Sequence, residues 1–266
     1  MEVKGIDVSK WQGEIDFKEV KESGVEFVII REGYGKKSPN QIDKKFKENY
    51  EKAKKAGLGV GVYHYSYADS EKDARYEADF CLENIQGLKL EYPVVFDLED
   101  KEQLKLNNRQ RTDIVKAFCE EIEADKYYAM FYCNLNWLNN YLYKDELIQK
   151  YDLWLAQWGV SKPTETCGIW QCSSTGKIDG INGNIDLDIA YKDYPSIMKS
   201  KGLNGFENEK DVCKEEYYTY KVQRGDTLWD IAKKLLGNGF KYKEIKQINN
   251  LKTDTIYPNQ KLKILK

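Results

Sequence analysis

The segment PVVFDLED, residues 93–100, carries two acidic side chains, Asp97 and Glu99, two positions apart at the end of an apolar run that reads as a β-strand. Side chains two apart on a strand share a face, so both carboxylates point the same way. Three further acids end β-rich runs in the same manner: Asp7 in GIDVS, Glu32 in IIREG and Asp186 in GNIDLD. If these runs are strands of one β/α barrel, the five acids surround its C-terminal mouth, where such barrels carry their sites. Clustered carboxylates drive each other's pKa values apart, leaving one protonated near neutrality as a general acid and another ionised. Glycosidic bond cleavage requires that division of labour. The competing use of an acidic cluster is to hold Mg²⁺ or Ca²⁺ through oxygen ligands. A solvated acid at a strand end is commonplace, so the weight rests on the set rather than on any one residue. Planar rings favour sugar over metal: Tyr63, Tyr65, Tyr132, Trp154, Trp158 and Trp170 fall on or beside the predicted strands. Each could stack on a pyranose or simply fill core.

Other chemistries are poorly supplied. The chain has one histidine, His64, whereas zinc hydrolases recruit two or three and a Cys or Ser nucleophile usually needs a His base. His64 would have to serve them all, which argues against zinc amidase, zinc peptidase and papain-like reactions; no metal or cofactor is called for. It lies between Tyr63 and Tyr65 on a predicted strand, and alternation turns it away from their face into a hydrogen-bonded structural role. Six cysteines, at 81, 119, 133, 167, 172 and 213, include no CxxC pair and read mostly as reduced thiols.

The elements that must position these residues follow from periodicity. Through residue 134, β-rich runs (VKGIDVS, VEFVIIRE, LGVGVYHYSY, YPVVFDLE, YYAMFYCN) alternate with helix-like stretches whose apolar residues recur at three and four, as in Phe46, Tyr50, Ala53 and Leu58. Five such units predict a parallel sheet. Beyond residue 150 come DLWLAQW, CGIWQC and NIDLDIAY without long helices, so the expected fold is α/β: a TIM-like barrel of five β/α units closed by three further strands.

Charge divides the chain. Residues 1–198 carry 27 Lys+Arg against 35 Asp+Glu, residues 199–217 carry 4 against 5, and residues 218–266 carry 11 against 4. An acidic body and a basic one are joined by a stretch rich in Gly, Asn and charge, which reads as an exposed linker over 199–217. The last 49 residues read strand, helix, helix, strand, a small βααβ unit in which Asp226 or Thr227 caps the first helix and Gly237 and Gly239 end it.

GIDVSKWQG, FVIIREGYG, GVYHYSY, the PVVFDLE pair, LWLAQW and IWQCSSTGKIDGINGNIDLD together resemble the glycoside hydrolase family 25 lysozymes over nearly all of residues 1–195. The resemblance implies an N-acetylmuramidase that cuts the β-1,4 bond between N-acetylmuramic acid and N-acetylglucosamine. It implies Glu99 as general acid and Asp97, Asp7 and Asp186 on the floor of the site; by strand-end position and ring supply, Glu32, Tyr63, Tyr132 and Trp158 are the expected substrate contacts. Asp188 is read as structural, and Cys172 stands where an aromatic is usual, altering a rim contact. The tail resembles a single LysM module over residues 218–265. That implies a shallow groove for N-acetylglucosamine-containing glycans formed by Gly225, Asp226, Thr227 and Leu228 together with Asn250, Leu251, Ile256 and Tyr257. Trp229 and Ile231 are read as core, and Asn259 stands at a turn position that tolerates positive φ.

The combination resembles a phage endolysin or a bacterial autolysin acting on a Gram-positive wall. Its expected partners are peptidoglycan glycan strands. Nucleic acid is not expected, since the basic tail matches no RNP or helix-turn-helix pattern. Membrane insertion is not expected either, the apolar runs falling short of about 20 residues. Met1 runs directly into EVKGID, so no leader is read and synthesis in the host cytoplasm before action on the wall is expected. Two rivals are a non-catalytic glycan-binding barrel, against which the four acids argue, and a family 18 chitinase, whose DxxDxDxE motif is not met.

Overall fold

The computed structural model describes residues 2–36, 38–207 and 217–265. Two separate units lie in the chain, Met1–Asn208 and Glu209–Lys266. In the first, eight strands close a barrel in chain order: β1 (Val3–Val8), β2 (Phe27–Tyr34), β3 (Gly59–Tyr65), β4 (Val94–Asp97), β5 (Ala129–Asn134), β6 (Asp152–Ala156), β7 (Ile169–Gly176) and β8 (Ile185–Ala190). Helices α1 (Phe17–Glu22), α2 (Phe46–Lys55), α3 (Glu71–Ile85) and α4 (Asn108–Ala124) follow the first four strands, and the short α5 (Leu135–Asn140) and α6 (Lys144–Ile148) follow the fifth. Neighbours from β1 to β7 run parallel, and β8 closes antiparallel to both β7 and β1. The five β/α units and three closing strands expected from the sequence are present.

Strand parity sorts the apolar residues into two layers. Val28 and Ile30, Val60 and Val62, Phe96, Phe131 and Leu155 face outward and pack under the helices. Phe27, Ile29, Val95, Met130, Trp154 and Ile169 face inward and fill the barrel. At the lower end Phe27 stacks on Tyr92, ring centroids 4.2 Å apart, and fills the space beside Gly5. A Cβ at Gly5 would lie 2.2 Å from that ring, so only glycine fits there.

The expected linker start at Lys199 is corrected. Helix α7 (Tyr194–Lys201) closes the bottom of the barrel: Tyr194 is fully buried, and its hydroxyl donates to Asp152 Oδ2 at 2.9 Å. Buried Asn204 then accepts from Tyr128 N at 2.7 Å and donates to Tyr92 O at 2.8 Å. The first unit therefore holds its chain well past residue 198, and the remainder of the expected linker, 208–216, lies outside the described residues.

The second unit is the expected βααβ fold: β9 (Tyr217–Lys221), α8 (Leu228–Leu236), α9 (Tyr242–Ile248) and β10 (Lys261–Leu265), with β9 and β10 antiparallel. Thr227, not Asp226, is the N-cap of α8, its hydroxyl accepting from Asp230 N. Gly237 ends α8 at φ 73°, and Asn259 takes the positive φ, also 73°, that its turn requires. Ile231 is core, but Trp229 is 42% exposed, because it lies over Gly239 rather than within the cluster. No helix among the described residues is long and apolar enough to cross a membrane. Cys81, Cys119, Cys133, Cys167 and Cys172 are free thiols, and Cys213 lies outside the described residues.

Candidate active site

Inward parity at the upper ends of the strands assembles one polar ring. Asp7 on β1 sits directly opposite Asp186 on β8, with Asp188 two residues further along the same face. Across the barrel Asp97 ends β4, in register with Tyr65 on one side and Tyr132 on the other; Tyr132 in turn pairs with Trp154. Glu99 follows in the loop after β4. The cavity they enclose is about 360 Å³, lined by Asp7, Asp97, Glu99 and Asp186 together with Arg31, Gln171, Tyr63, Tyr65, Tyr132, Trp154, Trp11 and Trp158. Larger surface depressions exist, including one of about 900 Å³ beside α1 and α2. Volume is a weaker guide than convergent polar groups, and the smaller cavity gathers the acids.

The floor is tied by hydrogen bonds. Gln171 Nε2 donates to Asp7 Oδ2 at 2.8 Å, Trp154 Nε1 donates to Asp188 Oδ1 at 2.8 Å, and Tyr132 and Trp158 donate to Gln171 Oε1 at 3.3 Å each. Asp7, Asp97 and Asp188 are buried, whereas Glu99 and Asp186 are only partly so. Asp97 Oδ1 is buried without a hydrogen-bond partner. Trp11 and Trp158 stand 75% and 53% exposed at the rim, with Lys10 Nζ lying over the Trp11 ring, 4.8 Å from its centroid.

Electrostatics follow from burial and crowding. Burial and then the charges of Asp188 and Asp186 push the Asp7 carboxyl well above the usual range; burial and Glu99 do the same to Asp97, with Arg31 opposing. Burial, Asp186 and Asp100 raise Glu99, and burial raises Asp186 and Asp188. Burial and mutual repulsion thus favour retained protons across the cluster, on the partly exposed Glu99 as well as on the deeper acids.

Those raised values have a sign for stability. A carboxyl that binds its proton more tightly in the fold than in the unfolded chain favours folding fully below about pH 4, and that contribution fades as pH rises through the folded value. Asp7→Asn removes one charge from the crowd while its amide can still hydrogen-bond Gln171 and Asp188. It is expected to raise the unfolding free energy at pH 7 by on the order of 1 kcal/mol and to flatten the decline between pH 5 and pH 7. Urea titrations of both proteins at the two pH values measure this, and a variant less stable than wild type at pH 7 contradicts it.

Glu32 does not join the ring. It shares parity with Val28 and Ile30, so it faces outward from β2, fully buried between the sheet and α3. There it contacts His64 Nδ1 and accepts from Asn84 Nδ2 at 2.8 Å; Arg31, of the opposite parity, takes the place at the mouth. His64 is fully buried on the outward face of β3. Cys172 does not line the cavity: its thiol reaches Leu187 O at 3.3 Å in the outer layer. Trp170 is also core, donating to Gln157 O at 2.8 Å. Arg31, Gln171 and Trp11 are cavity residues that the sequence reading does not single out, although the parity of Ile29 signals Arg31 and that of Ile169 signals Gln171. Glu32, His64 and Cys81 lie close enough to share an ion, yet Glu32 and His64 already bond each other, and burial with Glu32 raises the thiol well above its usual pKa.

In the second unit, Asp226 accepts from Tyr220 Oη at 2.8 Å and Gln223 N at 2.7 Å, which fixes the turn at Gly225, φ 95°. Tyr257 is 68% exposed, Thr227 and Asn250 are exposed, and Leu251 and Ile256 are partly buried against the core. Leu228 is corrected: it is 2% exposed and belongs to that core, because the first residue of α8 turns its side chain under the sheet.

Comparison with known proteins bears on both units. A LysM domain model matches residues 220–265. The autolytic lysozyme of Clostridium acetobutylicum is 35% identical over 191 residues, 70% of this chain and 55% of its own length; the chain thus spans little more than half of that relative. A bacterial lysozyme from Streptomyces coelicolor is similar in structure at a TM-score of 0.62 and 29% identity, covering 71% of this chain and 92% of that one. The modular autolysin LytC of Streptococcus pneumoniae, solved with a synthetic peptidoglycan ligand, matches at a TM-score of 0.64 and 25% identity, over 71% of this chain and 47% of that one. The model of glycosyl hydrolases family 25 matches residues 6–181. Because that span is the greater part of the chain and contains Asp7, Asp97 and Glu99 of the acidic mouth, the chain belongs to glycosyl hydrolases family 25.

Proposed function

We propose that the barrel hydrolyses peptidoglycan at the β-1,4 bond between N-acetylmuramic acid and N-acetylglucosamine, as an endolysin or autolysin of a Gram-positive wall. The observation that carries this reading is the convergence of Asp7, Asp97, Glu99 and Asp186 on one small cavity with exposed tryptophan rings at its rim. Glu99, partly exposed and raised by burial and by the charges of Asp186 and Asp100, gives its proton to the glycosidic oxygen as the bond to the sugar carbon breaks. Asp97, with an unpartnered buried oxygen, accepts from the substrate's 2-acetamido N–H or from the attacking water. Gln171 and Trp154 hold Asp7 and Asp188 in place, so the polar groups on the floor of the site are preorganised before the developing oxocarbenium ion forms. Trp11 and Trp158 stack on sugars at either side.

Mass spectrometry of digested, borohydride-reduced peptidoglycan tests the bond assignment. Reduced muramic acid ends are expected; reduced glucosamine ends would mean another glycosidase, and no new ends with glycan binding retained would mean a non-catalytic binder.

The LysM unit is proposed to hold the enzyme on its polymer through the turn at Gly225–Thr227 and the loop carrying Asn250, Leu251, Ile256 and Tyr257, raising local substrate concentration without altering the chemistry. Removing residues 218–266 is then expected to lower activity on intact cells by about 10-fold or more, within the range avidity supplies, and to leave soluble muropeptide cleavage unchanged. An equal loss on both substrates contradicts tethering.

A further inference from the structure

The two-stranded sheet of the LysM unit has one face that its core does not use. Tyr218, Tyr220, Leu262 and Ile264 alternate onto the helices, so Lys221, Lys261 and Lys263 point the other way, and all three are exposed. Lys261 stands directly opposite Lys221, and Lys263 opposite Thr219, two residues or about 7 Å further along the strand. Like charges facing each other across an antiparallel pair are destabilising, and no carboxylate among the described residues relieves them. Among the described residues 217–265 there are four acids, and three are engaged elsewhere: Asp226 in its turn, Asp230 at the α8 cap and Asp254 with Lys246 at 2.6 Å; the fourth, Glu244, is on α9.

We infer that this lysine face binds a repeating polyol-phosphate polymer, the phosphodiester chemistry of anionic wall polymers, on a surface separate from the proposed glycan loops. Ammonium groups are compact point charges suited to phosphate. Their spacing along β10 is comparable to the step between successive phosphates joined through a short polyol. Single-stranded nucleic acid is disfavoured because it is held by rows of stacking rings, whereas this face offers one, Tyr217, already covered by Lys263 at 5.8 Å. The inference rests on the reading of the chain as a wall hydrolase for the source of the polymer.

The test uses the full chain and its Lys221→Gln/Lys261→Gln/Lys263→Gln variant, titrated with synthetic poly(glycerol phosphate) over a range of salt. A second variant, Lys234→Gln/Lys243→Gln, removes charge from the helices instead. The wild type is expected to bind with a salt dependence whose log–log slope drops by about 2 in the triple variant, near 0.7 per lost contact, while the helix variant keeps most of its slope. The triple variant is also expected to unfold at a temperature no lower than wild type, since it relieves repulsion. Undiminished binding by the triple variant overturns the site. An equal loss in the helix variant overturns it in favour of diffuse charge, and tighter binding of a single-stranded oligonucleotide overturns it in favour of nucleic acid. Digestion of peptidoglycan stripped of phosphate polymers is followed in parallel. It is expected to proceed equally in all three proteins, and its failure in the wild type rejects the hydrolase reading while leaving the polymer titration to be judged by itself.

Discussion

Glu99→Gln is expected to lower turnover on purified cell walls by about 10²–10⁴-fold, the usual worth of a positioned general acid. Adsorption to the same walls and thermal stability should be preserved. The substitution keeps the side chain's shape at a partly exposed position in the loop after β4, so the loss is assigned to the missing proton rather than to a displaced strand. Near-normal turnover would remove Glu99 from the role and turn attention to its neighbours. Loss of adsorption together with activity would instead make the residue a binding contact.

The second large effect lies behind the sheet. Glu32→Ala is expected to destabilise the barrel by about 3–5 kcal/mol, the cost of breaking a buried charge pair from one side. His64 is fully enclosed, with Glu32 at Nδ1 and Glu77 Oε2 3.7 Å from Nε2. Burial opposes the charged imidazole, but Glu32 and Glu77 outweigh it and raise the His64 pKa. The imidazolium's contribution is therefore complete below about pH 6.5, its unfolded value, and fades as pH rises through the higher folded value. The penalty of Glu32→Ala should shrink in the same direction, which urea titrations at pH 6 and pH 9 would measure. Specific activity of the folded fraction should match wild type, since the sheet separates Glu32 from the cavity. Full stability accompanied by a large loss of turnover would return Glu32 to the mouth.

That contrast between Glu99 and Glu32 marks what was legible in the sequence. Period-two runs and the helical spacing between them are local features, so the eight-strand barrel, its closing strands and the meeting of Asp7, Asp97, Glu99 and Asp186 could all be read. Glu32 is misplaced when position along a strand is used without parity: Ile30, two residues before it, is outer-layer core, and the same count puts Arg31 in the cavity. Segment 135–148 shows no extended helical period because it forms two short helices of six and five residues. Gly, Asn and charge after residue 198 read as linker because the bonds that hold Asn204, to Tyr92 and Tyr128, span 112 and 76 residues, and no local pattern announces them. Trp229 and Leu228 exchange their expected surroundings for a similar reason: helix phase, set by the cap at Thr227, decides which of two adjacent apolar residues turns inward.

The central claim is that Glu99 delivers a proton to the departing sugar oxygen at the acidic mouth. Its most direct measurement compares Glu99→Gln with wild type on two soluble substrates that differ only in leaving group, a natural saccharide and a dinitrophenyl glycoside whose phenolate departs without protonation. The variant should be severely impaired on the saccharide and approach wild-type rates for glycosidic cleavage of the aryl substrate. Equal impairment on both would contradict proton donation by Glu99.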